Sequence, residues 1–357
     1  MNAIGSALRP DRRIDARNTR RPRLLTVIVN WRTPVMTIDA AAAALGALEG
    51  IEGALVIVDN GSGDGSFDRL SAEVRARGWD RGPQRVRVLQ AGHNGGFGAG
   101  NNLGMSAGLP DGSRPDYVYL LNSDAFPERD AIRALLDHLE ANPKVAFAGS
   151  RLHGPGGEPH PTAFRFPSIL GEFESHLRLG IVSRLLRRSV VSMPMPTATM
   201  LVDWTAGASL MFRQDVLDRV GSFDEAYFLY FEETDLCHRA VRAGWSGAYV
   251  VESRVMHIGS ASTGMKTWSR IPQFWLDSRL RYYSSNHGRI YAALATLAAV
   301  IGGGLYRARL LIERRKSDEP DHYLRDLVAH HLRHGFARRT GVAPLKPPAL
   351  AGQGRDP

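Results

Sequence analysis

Polar and acidic side chains follow three apolar runs in this 357-residue chain, each at the point where a buried strand would end. The runs are residues 27–29, 56–58 and 117–121, and the side chains that follow are Asn30, Asp59, Asn60, Asn122, Ser123 and Asp124. Amides and carboxylates there can hydrogen-bond a nucleotide base or ribose, because ligands of parallel sheets bind beyond the carboxyl ends of the strands. A simple turn is the alternative at residues 59–61, since Asp-Asn-Gly favours positive φ.

Asp124 is the residue of this set whose charge most needs a partner. A carboxylate at the tip of a fully apolar strand is poorly compensated unless a cation meets it. A divalent metal that carries a diphosphate would do so, because Mg²⁺ and Mn²⁺ take a few carboxylate ligands and leave other positions for water and phosphate oxygens. The alternative is that Asp124 caps a helix that starts near Pro127.

A second acidic cluster, Glu232, Glu233 and Asp235, follows the aromatic run at residues 228–231. That run favours partial burial of a helix start, and a desolvated carboxyl has a raised pKa suited to accepting a proton from a hydroxyl. The helix macrodipole and an i,i+4 pair between Asp235 and Arg239 explain part of the charge order without catalysis. We therefore expect at least one of these acids to be structural.

Three further segments hold candidate ligands. His257 stands among apolar neighbours, as either a core histidine or a metal-binding imidazole. Residues 204–211 combine Trp204 with the small Gly207 and Ala208, which leaves room for a sugar against an aromatic face, although Trp204 could be an ordinary core aromatic. The glycine-rich residues 94–102 could bring backbone amides to a phosphate, but they lack the lysine of a P-loop and the spacing of a dinucleotide fold; a tight helix entry is the alternative.

The elements that position these residues alternate between strands and helices. Strand runs at residues 26–31, 55–58, 85–89 and 117–121, with helical stretches at 37–48 and 67–77, predict βαβ units and a mostly parallel sheet. In the second half we predict strands at 145–148, 204–211 and 248–251, a flexible loop at 154–161 and an acidic helix within 228–245. The basic amphipathic residues 173–191 predict a lid, a membrane-surface helix or a helix packed on the core.

The ordered motifs resemble those of inverting family 2 glycosyltransferases of GT-A fold, in particular the rhamnosyltransferase-like branch. The resemblance covers roughly residues 25–263 and implies an α/β, Rossmann-like fold with a mostly parallel central sheet flanked by helices. Residues 122–124 correspond to the family's DxD motif, with Asn122 in place of the first acid. The family usually has Asp where Glu233 stands, and its members have a metal-binding His after the acidic helix.

The resemblance also implies roles for individual residues. Glu233 is the expected general base and Glu232 an acid that orients the acceptor, although the choice between them stays open. Asp124 and His257 are the expected ligands of Mg²⁺ or Mn²⁺. The expected donor-binding residues are Asn30, Asp59, Asn60, Asn94, Gly95, Gly96, Asn101, Asn122 and Ser123, and the expected acceptor-binding residues are Trp204, Gly207, Ala208 and Asp235.

Composition and charge limit the cellular setting. The single Cys237 excludes an internal disulfide and suits a reducing compartment. The net charge of +9 lies on the flanks, because residues 1–23 hold seven Arg against two Asp and residues 270–357 hold fifteen basic against seven acidic residues. An enzyme of nucleic acids would carry this charge on its core, so we expect no nucleic-acid partner. Residues 1–23 lack the apolar stretch of a signal peptide.

We predict four regions: a disordered basic arm at 1–23, a GT-A domain at 24–269, a helical and membrane-associating extension at 270–343, and a disordered tail at 344–357. Residues 290–306 carry no charge. Their length is at the short limit for a membrane span and they include three consecutive Gly, which favours an interfacial or packed helix. The basic flanks would attract an anionic membrane surface. The alternative is a helix that docks a second subunit, which would make the protein a homo-oligomer.

We therefore predict a cytoplasmic, metal-dependent, inverting glycosyltransferase, peripheral at the inner face of the plasma membrane. It would move a sugar, rhamnose being the example, from a nucleotide-diphosphate donor to a hydroxyl of a glycan or lipid-linked acceptor in cell-surface polysaccharide synthesis. A sugar nucleotidyltransferase is one alternative, but residues 29–31 lack its Gly-rich basic signature. A catalytically inactive carbohydrate-binding protein of the same fold is the other.

Overall fold

The computed structural model describes residues 21–259, 268–317 and 319–335. Most of the basic arm predicted at 1–23 and all of the tail predicted at 344–357 lie outside these ranges. Arg23, the last residue assigned to that arm, is the first residue of the first strand.

Ten of the twelve strands in the described residues form one central sheet. The strands are β1 (Arg23–Asn30), β2 (Glu52–Asp59), β3 (Arg87–Gln90), β4 (Tyr117–Asn122), β5 (Ala125–Pro127), β6 (Val145–His153), β7 (Pro159–His160), β8 (Ala163–Phe164), β9 (Met200–Val202), β10 (Trp204–Thr205), β11 (Ser209–Arg213) and β12 (Ser246–His257). The main order is β3-β2-β1-β4-β11-β6-β12-β5, and β8 and β10 form a separate pair.

Six of the strands, β3, β2, β1, β4, β6 and β12, run in the same direction. β1 is parallel to both β2 and β4, β2 is parallel to β3, and β6 is parallel to β12. β11 lies antiparallel between β4 and β6. The predicted mostly parallel sheet is therefore confirmed, with one reversed strand inside it.

Helices cover both faces of the sheet and extend beyond it. They are α1 (Pro34–Ala47), α2 (Ser66–Ala76), α3 (Gly96–Ser106), α4 (Ala131–Ala141), α5 (Ile169–Leu177), α6 (Gly180–Leu185), α7 (Gln214–Val220), α8 (Glu232–Arg242), α9 (Gln273–His287), α10 (Arg289–Ile312) and α11 (Tyr323–His334). Because both faces are covered, β1 is apolar along most of its length rather than alternating.

Glycine sets the close approach of α3 to the sheet. A Cβ on Gly104 would lie 2.3 Å from the side chain of Val27, and one on Gly100 would lie 2.8 Å from that of Val29. No larger residue fits between this helix and β1. The glycine-rich sequence is thus needed for packing as well as for the turn at residues 94–96.

Three predicted elements of the second half differ from the structure. The amphipathic stretch 173–191 is interrupted at Arg178, which has a positive φ of 50° and separates α5 from α6. The strand predicted at 204–211 is divided into β10 and β11 by residues 206–208. The loop predicted at 154–161 contains the short strand β7, which pairs with β6.

Helix α9 packs on the segment between α7 and α8. Ser278 of α9 donates a 3.0 Å hydrogen bond to the carbonyl of Leu229, and Arg281 pairs with Asp224 at 2.5 Å. Among the described helices, α10 alone is long and apolar enough to cross a membrane. Of its most apolar stretch of 18 residues, 44% is buried against protein. The boundary predicted at residues 269 and 270 stays a prediction.

Candidate active site

The carboxyl end of β1 holds that of β2 in place. Asn30 is fully buried, and its amide nitrogen donates to Asp59 Oδ1 at 2.8 Å and to Ser62 Oγ at 3.2 Å. Its Oδ1 accepts a 2.8 Å bond from the hydroxyl of Thr37. Both ends of the Asn30 amide are therefore occupied by protein groups, which orients Asp59. Direct contact of Asn30 or Asp59 with a donor stays a prediction.

Asn60 connects the second strand to the glycine-rich turn. Its amide nitrogen donates to Asn94 Oδ1 at 3.0 Å and to the carbonyl of Gly96 at 2.9 Å. Its Oδ1 is buried and has no hydrogen-bond partner among the described residues. A buried acceptor of this kind needs a partner, and a donor group of a bound nucleotide would supply one.

The glycine-rich turn contacts the segment before the acidic helix. Gly96 has a φ of +88°, and a Cβ there would lie 1.9 Å from the carbonyl oxygen of Phe228. The next amide, that of Phe97, donates to the same oxygen at 3.1 Å. Asn101 donates back to the Phe97 carbonyl within α3. Sequence reasoning did not identify this contact with Phe228, since the two segments are more than 120 residues apart.

Asp124 and His257 come together at one end of β4. Asp124 Oδ1 lies 3.2 Å from Nε2 of His257, and Asn122 Nδ2 lies 3.4 Å from the same nitrogen. The backbone amide of Gly259 donates to the other Asp124 oxygen at 3.1 Å. Burial opposes ionisation, yet the hydrogen bond and charge of His257 hold the pKa of Asp124 below its usual value.

The alternative of a helix cap at Asp124 is wrong. The chain continues from Asp124 into β5, which pairs with β12, and α4 begins only at Ala131. Asp124 is therefore held between two strands.

The residues present fit a shared divalent metal. Within the described ranges, no third His, Cys, Asp or Glu joins Asp124 and His257. Two protein ligands suit Mg²⁺ or Mn²⁺ bound together with a diphosphate, because these ions keep their other positions for water and phosphate oxygens. The nearby ring of His160 is 6.1 Å from that of His257, edge to face.

Two neighbouring acids begin α8. Glu232 is 2% exposed, Glu233 is half-buried, and each has an Oε2 without a hydrogen-bond partner among the described residues. Burial and the charge of Glu233 raise the pKa of Glu232 well above its usual value. Burial also raises the pKa of Glu233, against the opposing effect of backbone hydrogen bonds that include one from Gly207. Two negative charges so close together repel each other, so one of the two carboxyl groups is favoured in its neutral form. Glu232 is the one more readily kept neutral, because both burial and the charge of Glu233 raise its pKa.

The entry to α8 is strained. Tyr230 and Phe231 have φ values of 67° and 69°, in the left-handed region that bulky residues avoid. Two consecutive residues of this kind cost free energy and persist only where the surrounding structure holds them. Phe231 is held by the rings of Trp275 and Tyr282 from α9.

Residues 206–208 join the acids to the Asp124 end of the sheet. A Cβ on Gly207 would lie 3.2 Å from the ring of Phe97 and 3.8 Å from Cβ of Glu233. The carbonyl of Ala208 accepts a 3.0 Å bond from the amide of Asn122. The predicted base and the predicted metal ligands thus belong to one continuous set of contacts.

Two residues predicted to bind the acceptor are already occupied by protein contacts. Trp204 stacks on Phe164 at 4.2 Å, and its Nε1 donates to the carbonyl of Arg165. Asp235 accepts from Asn286 at 2.7 Å and from Arg239 at 2.8 Å. Asp235 is therefore the structural acid expected in this cluster, and the acceptor contacts of both residues stay predictions.

Ser62 and Thr33 belong to the site and were not predicted. Ser62 bonds Asp59 and Asn30, and the Thr33 hydroxyl lies 3.3 Å from that of Ser123. Each lies three residues after the end of a strand, which was the available signal in the sequence.

Comparisons with known proteins identify the family of this chain. A family model described as glycosyltransferase like family 2 matches residues 22–273. An N-acetylglucosaminyl-diphospho-decaprenol L-rhamnosyltransferase of Mycobacterium tuberculosis is 31% identical over 257 residues, which cover 68% of this chain and 78% of that relative. Rhamnosyltransferase WbbL of Escherichia coli is 29% identical over 192 residues, 52% of this chain and 69% of that relative.

A solved structure has the same fold. The mannosyltransferase PcManGT from Pyrobaculum calidifontis, in complex with GDP-Man and Mn²⁺, matches with a TM-score of 0.52 and 13% identity, over 90% of this chain and 82% of that one. The predicted GT-A fold and the resemblance to rhamnosyltransferase-like enzymes are therefore confirmed. With the matched region spanning the whole set of strand ends and acids, the chain belongs to glycosyltransferase family 2 and is a glycosyltransferase.

Proposed function

We propose that this glycosyltransferase inverts the anomeric centre of a nucleotide-diphospho-rhamnose and transfers the sugar to a hydroxyl of a lipid-linked glycan. The observation that carries the proposal is the pair of adjacent acids at the start of α8, the buried Glu232 and the half-buried Glu233, beside the Gly207 backbone, which is linked through Ala208 to Asn122. The names of the two rhamnosyltransferase relatives support rhamnose as the sugar.

The donor would lie along the carboxyl ends of β1, β2 and β4. Asp59, fixed by Asn30, and the unpartnered oxygen of Asn60 would accept from ribose or base donors. Asn94, Gly95 and Gly96 would line the sugar nucleotide from the glycine-rich turn.

A divalent metal would be held by Asp124 and His257, whose ligand atoms face one another at 3.2 Å. When bound, Mg²⁺ or Mn²⁺ would stabilise the negative charge of the departing diphosphate.

Glu233 would act as the base. Its raised pKa suits acceptance of a proton from the acceptor hydroxyl. The hydroxyl oxygen then forms a bond to the anomeric carbon as the bond to the diphosphate breaks on the opposite face, and the nucleoside diphosphate leaves. A neutral Glu232 would donate a hydrogen bond that orients the acceptor.

The proposed acceptor is a lipid-linked sugar of the class for which one relative is named. The Mycobacterium tuberculosis relative is named for an N-acetylglucosaminyl-diphospho-decaprenol acceptor. A polyprenyl-diphosphate sugar of this class would present its hydroxyl from a membrane, so we propose a cytoplasmic enzyme at the inner face of the plasma membrane.

The test combines donor binding with product analysis. Thermal unfolding of the full chain is measured with a panel of nucleotide sugars, with and without Mn²⁺, because a ligand that binds only the folded state raises the unfolding temperature. The stabilising donor is then incubated with lipid-linked N-acetylglucosamine. We expect metal-dependent stabilisation by a nucleotide-diphospho-rhamnose, release of free nucleoside diphosphate and an inverted linkage by NMR.

Each alternative has its own outcome. Release of inorganic diphosphate when the protein is given a nucleoside triphosphate and a sugar 1-phosphate would identify a nucleotidyltransferase. Tight donor binding without turnover on any lipid-linked acceptor would identify a carbohydrate-binding protein. A retained anomeric configuration would contradict the direct displacement by the acceptor hydroxyl.

A further inference from the structure

Helix α10 exposes one apolar face along its full length. The exposed residues are Ile290, Leu294, Leu297, Ile301, Leu305 and Ile312, at 80%, 46%, 53%, 47%, 51% and 84% of their surface. They are separated by three, four or seven positions, which places them on one side of a helix. At 1.5 Å per residue this stripe is about 33 Å long.

The opposite face of α10 is packed on protein. A Cβ on Gly302 would lie 2.6 Å from the carbonyl of Phe173 in α5, and one on Gly303 would lie 2.9 Å from the Leu324 side chain in α11. Ala295 and Ala299 are fully buried. Because one side is held by protein and the other is apolar and exposed, the helix suits an interface between protein and lipid better than a span surrounded by lipid.

Helix α6 exposes a second apolar group. Ile181 is 71% exposed and Leu185 is 82% exposed, and no residue of this helix is buried. Arg184 is exposed between them, and Arg187 and Arg188 follow directly. None of these three arginines forms an ion pair with a residue in the described ranges.

The two helices are neighbours. Arg178, at the junction of α5 and α6, lies over the ring of Tyr306, and Arg309 donates a 3.0 Å hydrogen bond to the Arg178 carbonyl. The C-terminal half of α10 therefore lies beside the start of α6. Beyond its last turn, Arg314, Arg315 and Lys316 are exposed.

We propose that the exposed stripe of α10, with Ile181 and Leu185 of α6, is a docking surface for an anionic lipid bilayer. The aliphatic side chains enter the boundary between headgroups and acyl chains, while the arginines and Lys316 contact the anionic headgroups. The charge around the apolar residues argues for this partner, since basic side chains favour an anionic surface and each adds to binding. The inference rests on the proposed lipid-linked acceptor, because docking would bring the site to the membrane that holds it.

The test is co-sedimentation of the full-length protein with vesicles. Phosphatidylglycerol-containing vesicles are compared with pure phosphatidylcholine at low and high salt. We expect binding to the anionic vesicles that weakens as salt rises, because exposed charges are screened.

Two sets of variants separate charge from apolar contact. Replacing Arg184, Arg187 and Arg188 with Gln should weaken binding roughly 100-fold, at about a factor of five per charge near the surface. The matched control removes three exposed charges elsewhere, with Arg69→Gln, Arg75→Gln and Lys144→Gln, and should change binding much less.

The apolar set is Leu294→Gln, Leu297→Gln and Ile301→Gln, which should weaken binding at least about tenfold. Its control is Leu332→Gln on α11, a leucine that is 65% exposed outside the stripe. All variants should keep their unfolding temperature and their metal-dependent stabilisation by the donor, since they lie away from the site.

The outcomes distinguish this inference from the proposed function. Normal donor stabilisation and transfer to a detergent-solubilised acceptor, with no vesicle binding by the wild type, would overturn the docking surface and leave the enzyme activity standing. Vesicle binding that the variants do not change would also overturn it. A shift from dimer to monomer in sedimentation velocity, caused by the apolar set with vesicle binding unchanged, would assign the stripe to a second copy of the chain instead.

Discussion

The amide of Asn286 donates a 2.7 Å hydrogen bond to Asp235 and so ties helix α9 to the helix that begins with Glu232 and Glu233. The Asn286 Oδ1 is also 3.0 Å from Nδ1 of His238 in the same helix. Helix α9 is therefore joined to α8 by partly buried polar contacts, and these contacts help to hold the helix that carries the two acids.

Asn286→Ala should lower the free energy of unfolding by roughly 1–3 kcal/mol, because it leaves the buried Asp235 carboxylate without one of its donors. Urea denaturation measures the change. Asn142→Ala, at an exposed helix end, is the control and should cost less. Equal stability of the two variants would show that the bond to Asp235 contributes little.

Gly96→Ala should be much more damaging than the same change at Gly63. Both glycines have positive φ, but a Cβ on Gly63 meets nothing within 4 Å, whereas one on Gly96 would meet the Phe228 carbonyl at 1.9 Å. The Gly63 variant therefore isolates the backbone cost, roughly 1–2 kcal/mol. We expect a larger loss of unfolding free energy at Gly96 together with weaker donor stabilisation. Matching losses at the two sites would mean that the loop moves to accept the methyl group.

Much of the fold could be predicted because its signals are local. Apolar runs fixed β1, β2 and β4 to within three residues, and the acidic start and basic last turn located α8. The strand-end rule then located Asp59 and Asp124, because parallel strands bring their carboxyl ends to the same edge.

The remainder depends on contacts that no local pattern contains. The sequence did not show that both ends of the Asn30 amide bond protein groups, namely Asp59, Ser62 and Thr37. The break at Arg178 and the bond from Asn286 to Asp235 arise from packing between distant segments. A single sequence shows which residue types are present, but it does not show which distant residues contact each other.

Asp124→Asn should abolish sugar transfer while the protein stays folded, because the amide keeps the size and the bond from the Gly259 amide but loses the charge that attracts a metal. Donor stabilisation that requires Mn²⁺ in the wild type should disappear in the variant and in the presence of chelator. Asp130→Asn, at an exposed position before α4, is the control. Full transfer by the wild type in chelator would contradict metal dependence.

Glu232→Gln should change how stability depends on pH. Burial and the Glu233 charge raise the pKa of Glu232 above its usual 4.5, so the folded state binds this proton more tightly than the unfolded state does. That contribution is fully present below pH 4.5 and is lost as the pH rises toward the folded-state pKa. The variant should therefore match the wild type near pH 4.5 and be more stable at pH 8 in urea denaturation. Glu52→Gln, at an exposed position, is the control for loss of a carboxylate. A Glu232→Gln variant that is less stable than the wild type at pH 8 would indicate that the carboxylate is needed there.

Glu233→Gln should reduce kcat by roughly 10²–10⁴-fold, the usual contribution of general-base catalysis, while donor and metal binding stay normal. The substitution preserves size and removes only proton acceptance. Adjacent helix positions point about 100° apart, so only one of Glu232 and Glu233 can accept the proton of the acceptor hydroxyl. Glu232→Gln should instead raise the acceptor KM with a smaller effect on kcat.

Steady-state kinetics with varied acceptor, together with donor-dependent thermal stabilisation, separate the two acids. Glu233→Asp provides a further arm, since it keeps a carboxylate on a shorter side chain and should recover part of the rate that Glu233→Gln loses. A Glu233→Gln enzyme with near-normal kcat beside an inactive Glu232→Gln enzyme would reverse the assignment. Loss of folding in both Gln variants would mean that the two acids mainly stabilise the strained turn at Tyr230 and Phe231. Their role at the start of α8 would then be structural, because the fold itself would need the carboxyl groups.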